Sequence, residues 1–536
     1  MKLCLIRPPM IDRRYQAVLF TAPPLGLAYL AASARAEGHE VSVIDAVGED
    51  PERATPLDRG QFVVRGLPIG DILQRVPDDT ELLAVSCMFS QDWPHLRRII
   101  QRLREAFPGV PIVVGGEHVT ALPEHVLGDA PVDHCVVGEG EETFVDLLAA
   151  IADGRSLQEI PGLVTRVDGG TVRTPRRPRI RSIDGISTPA WDLFPLESYL
   201  SRGLGIGIDR GRSMPILATR GCPYQCTFCS SPSMWTTRWL ARNPAKVLAE
   251  IRDYVDTYQA ESFDFYDLTA IIRREWILEF CRLVRESGLR FTWQLPSGTR
   301  SEAIDGEVAK ALRTTGCRNI TYAPESGSVT ELQRIKKKVE TPRMLRSMRS
   351  CIKRGLFVKA NIVVGFPGQT PRELFETLGF IVKMAVIGVR DIIVMLFSAY
   401  PGSELYQSLR VAGRIPAPSD EYFLSLTCQL DLSQAVSFTE RLSPRQLAST
   451  RIFGMLLFYA VSHLLRPWRL AQTAYRLLLG RQETPLDKGL SSFFGRRSWS
   501  RRGATNGLRE PSATPPLCGP EDARKNMRSR KTGPGG

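Results

Sequence analysis

The chain has 536 residues, which at roughly 100–200 residues per domain predicts about three domains. Hydrophobic residues make up 43% and charged residues 24%, a globular balance that excludes a wholly disordered or fibrous chain. The formal net charge is +13, but residues 496–536 alone carry ten Arg/Lys against three Asp/Glu and supply +7 of it, so the basic balance gives no case for nucleic-acid binding by the folded part.

The opening Met1-Lys2-Leu3-Cys4-Leu5-Ile6-Arg7-Pro8-Pro9 has an apolar run too short for a signal-peptide core, and proline ends it. It reads as a first buried strand, and a cytoplasmic compartment is expected. There, clustered members of the eleven cysteines are expected to be metal ligands or catalytic groups rather than disulfides. No window holds ~18 uninterrupted apolar residues, so no spanning helix is expected.

Strands are predicted at 3–6, 41–44, 82–86, 112–114 and 135–137, and helices at 25–37, 94–106 and 142–152. Alternating βα units with buried apolar strands predict an α/β, doubly wound parallel sheet of flavodoxin-like type over residues 1–154. Such sheets bind ligands at the carboxyl ends of their strands. Those ends carry Ser86, Gly115-Gly116-Glu117-His118 and Gly138-Glu139-Gly140-Glu141. Two runs at 163–167 and 171–174 flank Asp168-Gly169-Gly170, a hairpin signal. A Pro- and Arg-rich stretch follows at 173–195, and residues 155–212 as a whole read as the connection between two domains.

The βα rhythm restarts over 213–417. Strands are predicted at 215–219, 263–266, 291–294, 319–322, 358–364 and 392–397. Helices are predicted at 244–258, 275–286, 302–314, 341–354 and 372–385. Six strands with helices between them predict a partial (β/α)6 barrel, with its site at the carboxyl ends of the strands. Residues 418–490 read as helical, notably 442–465 and 469–479, and 491–536 as a disordered basic tail.

The central motif follows the first barrel strand: Arg220-Gly221-Cys222-Pro223-Tyr224-Gln225-Cys226-Thr227-Phe228-Cys229. Three thiolates within eight residues can hold an iron–sulfur cubane and leave one iron open to a cofactor. Structural zinc wants four ligands, and no fourth Cys or His lies within 40 residues on either side.

This motif resembles the Cys-x3-Cys-x2-Cys signature of the radical S-adenosylmethionine superfamily, over about residues 214–410. The resemblance implies a 4Fe–4S cluster on Cys222, Cys226 and Cys229 as metal ligands, with Phe228 beside it. It further implies that the open iron chelates S-adenosylmethionine, whose cleavage gives a 5′-deoxyadenosyl radical. Asp264 and Asp267 at the second strand, Ser297 at the third, Glu325-Ser326 after the fourth and Gly365-Phe366 after the fifth match positions where the family contacts that cofactor.

The first domain resembles the cobalamin-binding domain of the class B branch. The carrying residues are Pro23-Pro24-Leu25-Gly26, Gly38-His39-Glu40, Gly115-Gly116-Glu117-His118 and Gly138-Glu139-Gly140-Glu141. Ser86, Gly115, Gly116, His118, Gly138, Glu139 and Gly140 are the expected cobalamin contacts. His39 and His125 read as structural. No Asp-x-His-x-x-Gly element follows the first strand, where Met10 to Gln16 holds no histidine, so no axial histidine is expected from there.

The resemblance implies methylation of an unactivated carbon in an apolar, lipid-like or natural-product substrate, as in lipid methylases of the hopanoid type. The alternatives are a radical cyclase of the anaerobic magnesium-protoporphyrin ester cyclase type and a non-catalytic cobalamin or redox sensor. A methylthiotransferase is disfavoured, since the first domain offers only Cys4, Cys87 and Cys135. No catalytic residue is assigned. The implied partners are a small-molecule or lipid substrate and an electron donor such as a flavodoxin or ferredoxin, with no nucleic acid. The apolar run 452–465, flanked by Arg451 and by Arg466-Pro467-Trp468-Arg469, has 14 residues and is too short to span a bilayer of roughly 30 Å. It is expected to pack across the barrel mouth, and it suits peripheral contact with the inner membrane face.

Overall fold

Two parallel sheets organise the chain, and each follows from the period of its sequence. The computed structural model describes residues 1–13, 21–57, 60–167, 169–299, 302–429 and 436–479. Three parts of the sequence reading lie outside the described residues: positions 14–16 of the stretch without an axial histidine, the hairpin residue Asp168, and everything from 480 on, including the basic tail.

In the first sheet, β1 (Lys2–Arg7), β2 (Glu40–Asp45), β3 (Leu82–Ser86), β4 (Ile112–Gly115) and β5 (His134–Val136) run parallel in the order β2-β1-β3-β4-β5. That is the flavodoxin-like order, with its switch point between β1 and β3. Both faces are covered, so alternate residues feed different cores. Leu3, Leu5, Leu82 and Ala84 enter one. Cys4, Ile6, Leu83 and Val85 enter the other.

The hairpin does not sit in a free connection. Its strands β6 (Leu163–Val167) and β7 (Gly170–Arg173) extend the sheet antiparallel beyond β5. The backbone of β5 would otherwise be an unpaired edge. A second small sheet, of Met10–Arg13, Phe62–Arg65 and Ala54–Leu57, was not foreseen. Its outer strand is exposed along most of its length and carries no clean alternation.

The second sheet runs in chain order: β8 (Ser213–Ile216), β9 (Ser262–Phe265), β10 (Thr292–Thr299), β11 (Cys317–Glu325), β12 (Phe357–Val364) and β13 (Asp391–Leu396). All neighbours are parallel, giving the open six-stranded barrel. Its helices start on clear signals. Asn243 caps Pro244–Tyr258 through the Ala245 N–H, and Thr370 with Glu373 forms a capping box on Pro371–Ile387. Part of the connection is built into the barrel. The Gly207 N–H donates to Asp264 at 2.8 Å, and Gln294 exchanges two hydrogen bonds with the Ile208 backbone. Ser213, first in β8, also donates to Asp264. The segment therefore plugs the amino-terminal end.

The two sheets share their apolar cores. Ile6, Val85 and Trp93 of the first are continuous with Phe366, Phe397 and Phe423 of the second half.

The helix Pro444–Leu465 does not cross the barrel mouth. It lies along β13 and the helix Pro371–Ile387, on the open side of the barrel, with Leu447 and Phe458 fully buried. It begins eight residues before the apolar run, on a Ser443/Gln446 capping box. At 22 residues and a mean hydropathy of 1.3 over 18 of them, it is long and apolar enough to cross a membrane by length and composition, contrary to the sequence expectation.

Candidate functional site

The barrel's carboxyl-terminal end is built around the cysteine loop. β8 stops at Ile216, three residues earlier than predicted. Thr219–Arg220 then turns to pair antiparallel with Leu240–Ala241. Gly221 follows at φ +88, and a Cβ there would sit 2.3 Å from the Arg238 carbonyl oxygen. Only glycine allows the loop to leave the strand so close to that backbone.

Cys222, Cys226 and Cys229 are free thiols of intermediate burial, and the Cys229 N–H donates to the Cys226 carbonyl at 3.1 Å. Burial pushes the Cys229 thiol up to about 11. A backbone N–H from Ser231 opposes this, and the neighbouring Cys226, Glu117 and Cys222 add to it. The three sulfurs are thus close enough to repel as thiolates, and none is spent on a disulfide. Among the described residues no three His, Cys, Asp or Glu side chains converge on a single ion. A cubane binds each thiolate through a different iron, so this donor set fits a cluster, and a bound metal deprotonates its thiols outright.

Two residues of the loop after β9 hold the cysteine loop in place. Asp267 is 1% exposed and accepts from the Ala218 and Thr219 N–H groups, and burial pushes its carboxyl up to about 7. The Thr269 hydroxyl shares its one proton between the Leu268 carbonyl at 2.8 Å and Cys222 Sγ at 3.7 Å. Thr269 was missed by sequence reading, although it stands two residues after the singled-out Asp267. Thr269→Val removes a hydrogen bond to a cluster sulfur and leaves the shape. The cluster is expected to assemble at wild-type iron content with a lower reduction potential, read by redox titration under electron paramagnetic resonance.

The expected cofactor elements of β11 and β12 are tied together from behind. Ser326 Oγ donates to Glu331 at 2.6 Å, Gln369 Nε2 donates to the same carboxylate at 3.0 Å, and Gln369 Oε1 accepts from Gly365 N–H at 2.7 Å. Glu325 ends a bulged strand at φ +65, a backbone state rare for a non-glycine residue. Lys337 donates to its carboxylate at 2.8 Å and stands 5.9 Å from the Phe228 ring centroid. Glu331, Lys337 and Gln369 are therefore site-building residues that the sequence reading did not pick. Gln369 directly follows the Gly365-Phe366-Pro367-Gly368 element, which was the available signal.

Several expected contacts turn out to be internal. Phe366 is fully buried between Phe228 and Phe397, at 5.4 and 5.3 Å between centroids, so it supports the cysteine loop and offers no face to a ligand. Gly365 lies at φ +91, and a Cβ there would meet Leu447 at 3.0 Å. Its small size serves the packing of Pro444–Leu465 rather than the approach of a flat ring. Asp264 is 2% exposed and faces the plug at the amino-terminal end, away from the cysteine loop. Ser326 is fully buried. Ser297 is half-buried in the β10 bulge between Leu295 and Gly298, a place where strands re-aim side chains.

The first sheet presents Ser86 and Gly115 side by side at its carboxyl edge. Gly138, at φ +86, has open space where a Cβ would stand, and Met88 and Phe89 beyond Ser86 are 46% and 49% exposed. An apolar ledge beside bare backbone fits a large flat cofactor. Gly116 answers a different demand, since its Cβ would lie 2.3 Å from the Cys87 carbonyl oxygen. Gly140 packs near Leu30. His118 is 1% exposed, shares a 2.8 Å hydrogen bond with Ser90 Oγ, and lies between Trp93 and Phe423. Burial lowers its pKa to about 3, so it is a neutral core histidine in this conformation.

Glu139 is also committed, to a buried ion network. Its carboxylate accepts from Arg179 at 2.5 Å and from Arg220 at 3.3 Å. Arg220 reaches Glu141 at 2.7 Å. Arg220 stands two residues before Cys222, so the loop after β5 grips the root of the cysteine loop. Glu117, next to His118, accepts from Ser230, which follows Cys229. The carboxyl ends of both sheets thus meet at the three cysteines.

Comparison with known proteins agrees with this geometry. The family profile described as B12 binding domain matches residues 16–148, and that of the radical SAM superfamily matches residues 216–381. An uncharacterized methyltransferase of Pyrococcus horikoshii is 30% identical over 76% of this chain and 83% of its own length. The anaerobic magnesium-protoporphyrin IX monomethyl ester cyclase of Rubrivivax gelatinosus is 27% identical over 72% and 66%, and the hopanoid C-3 methylase of Methylococcus capsulatus 21% over 76% and 72%. The radical S-adenosylmethionine methyltransferase TsrM from Kitasatospora setae, solved with cobalamin and a 4Fe–4S cluster, shares the fold at a TM-score of 0.60, 20% identity, and 78% and 79% coverage. Two sheets that bring their ligand ends together at a Cys-x3-Cys-x2-Cys loop, both family profiles and the Pyrococcus relative lead to one assignment: the chain belongs to the cobalamin-binding branch of the radical S-adenosylmethionine superfamily, with a 4Fe–4S cluster, S-adenosylmethionine and cobalamin as its cofactors.

Proposed function

We propose that the protein methylates an unactivated carbon of a small-molecule substrate. Residues 1–154 hold cobalamin, and residues 213–417 hold the cluster and S-adenosylmethionine. When bound, the cluster and S-adenosylmethionine supply a 5′-deoxyadenosyl radical that takes hydrogen from substrate, and cobalamin supplies the methyl group. Cys222, Cys226 and Cys229 ligate the cluster. Ser86, Gly115, Gly138 and the ledge of Met88 and Phe89 form the bed for cobalamin, while Ser297 and Glu325 line the S-adenosylmethionine side. The observation that carries this reading is the Glu139–Arg220–Glu141 link. It fixes the cobalamin-side loop to the root of the cysteine loop, and a methyl donor and a radical source must address the same carbon.

The named relatives support the chemistry in two directions. The hopanoid methylase and the Pyrococcus methyltransferase favour methyl transfer. The cyclases favour radical C–C bond formation in which no methyl group moves. An apolar, lipid-like substrate met at a membrane face fits the uncharged outer stripe of Pro444–Leu465, where Ile452, Phe453, Leu456 and Leu464 are exposed.

The test follows S-adenosylmethionine. The protein is reconstituted anaerobically with iron, sulfide and cobalamin and given dithionite. Both 5′-deoxyadenosine and S-adenosylhomocysteine are expected, the second only with cobalamin. 5′-Deoxyadenosine alone would replace methylation by cyclisation. Neither product from a protein of verified cluster content would leave a sensor. Phospholipid vesicles in the same assay should raise turnover if the substrate is met at a membrane.

A further inference from the structure

The segment 173–181 contains five arginines, at 173, 176, 177, 179 and 181, and no acidic residue. It lies against residues 231–242, which add Arg238 and Arg242 and again no acid. Contacts between the two are direct. Arg176 donates to the Ser233 carbonyl at 2.6 Å, Arg179 donates to the Trp235 carbonyl, and Arg238 donates to the Arg181 carbonyl at 3.3 Å.

Four of these seven charges are met by carboxylates from elsewhere. Arg173 pairs with Glu124, Arg177 with Asp146, Arg179 with Glu139 and Arg242 with Glu250. Arg176, Arg181 and Arg238 are exposed and make no salt bridge among the described residues. Burial, then the positive charges of Arg179 and Arg173, push the Arg176 pKa down, as expected where like charge is crowded. The fold pairs Arg173, Arg177, Arg179 and Arg242 with carboxylates and leaves the other three at the surface, which keeps a positive patch there.

The patch lies beside the cluster. Arg176 bonds to Ser233, Ser233 Oγ donates to the Ser230 carbonyl at 2.7 Å, and Ser230 follows Cys229. Two hydrogen bonds and one peptide link therefore connect the surface charge to a cluster ligand. We infer that Arg176, Arg181 and Arg238 form the docking surface for an acidic one-electron carrier protein that reduces the cluster. The inference rests on the radical chemistry proposed above, because only that chemistry requires reduction. In the step the carrier loses one electron and the cluster gains one, with no bond made or broken. Opposed charge steers the encounter and accelerates it at low salt.

The test compares two reductants on the reconstituted enzyme. The triple variant R176E/R181E/R238E is expected to lose tenfold or more of its 5′-deoxyadenosine rate with reduced flavodoxin, an acidic carrier, and to lose the salt dependence of that rate. Its rate with dithionite should stay at the wild-type level. The double variant R181E/R238E spares the Arg176 bonds to Ser233 and Met234. It should show the same pattern in weaker form, and it decides the matter if the triple variant folds poorly. Flavodoxin affinity, titrated at low and high salt without turnover, should fall in step. Unchanged flavodoxin-driven rates and affinities would overturn the inference. So would salt-dependent binding by the patch of duplex DNA but not of flavodoxin. A wild-type enzyme inactive with dithionite as well would instead count against the proposed function, while the affinity measurement would still judge the patch.

Discussion

Cys222→Ala, Cys226→Ala and Cys229→Ala are each expected to bring cluster iron close to zero and to abolish 5′-deoxyadenosine formation. Each thiolate holds a separate iron, so losing one of three removes a corner of the cubane, and among the described residues the other free cysteines are all buried. The fold should survive. The thiols are only partly buried, and the loop is held by other groups: Asp267 on the Ala218 and Thr219 backbone, and Phe228 against Phe366. The informative controls are the core cysteines. Cys281, Cys317 and Cys351 are at most 1% exposed inside the barrel's apolar core, which marks them as small apolar residues. Alanine there should cost about 1 kcal/mol of stability and leave iron and activity intact. Iron and sulfide analysis with electron paramagnetic resonance separates the two sets. Full S-adenosylmethionine cleavage in any first-set variant would sink the cluster assignment.

The contrast between those two sets shows what was legible in the sequence. Spacing alone separated Cys222, Cys226 and Cys229 from the rest, because a cluster loop is local and its ligands lie within eight residues. Strands such as Leu82–Ser86 and Ile112–Gly115 were legible because burial on both faces writes a continuous apolar run. What could not be read was the identity of each residue's partner across the fold. Gly365 looked like a place for a flat ring, but the constraint comes from Leu447, 82 positions away. Phe366 and His118 sit in the expected loops, yet their rings turn into the core. Asp264 and Asp267 are three residues apart and serve opposite ends of the barrel. The helix Pro444–Leu465 looked too short to span because Arg445, Gln446, Ser449, Thr450 and Arg451 interrupt the apolar pattern of its first turns, and only its cap shows where it begins.

The Glu139–Arg179–Arg220–Glu141 network is the least local of these features and the one whose loss should reach furthest. Arg220 is 5% exposed and is shared by Glu139 and Glu141, one on each terminal guanidinium nitrogen. Arg220→Met keeps much of the volume but strips Glu141 of its directly bonded cation and leaves only the more distant charge of Arg179. Stripping one partner from a buried ion pair costs about 3–5 kcal/mol, because the remaining charge stays desolvated. Arg220→Lys should fall between the two, since one ammonium cannot span both carboxylates as a fork does. The variant should also reverse a pH response. In the wild type, burial would raise the Glu141 pKa, but Arg220, through its charge and hydrogen bond, and Arg179 hold it below the usual 4.5. Glu141 then stabilises the fold above pH 4.5, and that contribution is lost as pH falls through its depressed folded value. Without Arg220, burial prevails and the folded pKa lies above 4.5. Protons then bind the folded state more tightly, and this contribution is lost as pH rises from 4.5. Thermal unfolding of Arg220→Met against wild type between pH 4 and 8 should show slopes of opposite sign from this site. At a temperature where both remain folded, Arg220→Met should still make 5′-deoxyadenosine, because the three cysteines are intact, yet yield less methylated product per radical formed. A variant that lost both in equal measure would show that the network merely holds the fold together. A drop in methylation alone would show that it sets the position of the cobalamin-side loop relative to the cluster.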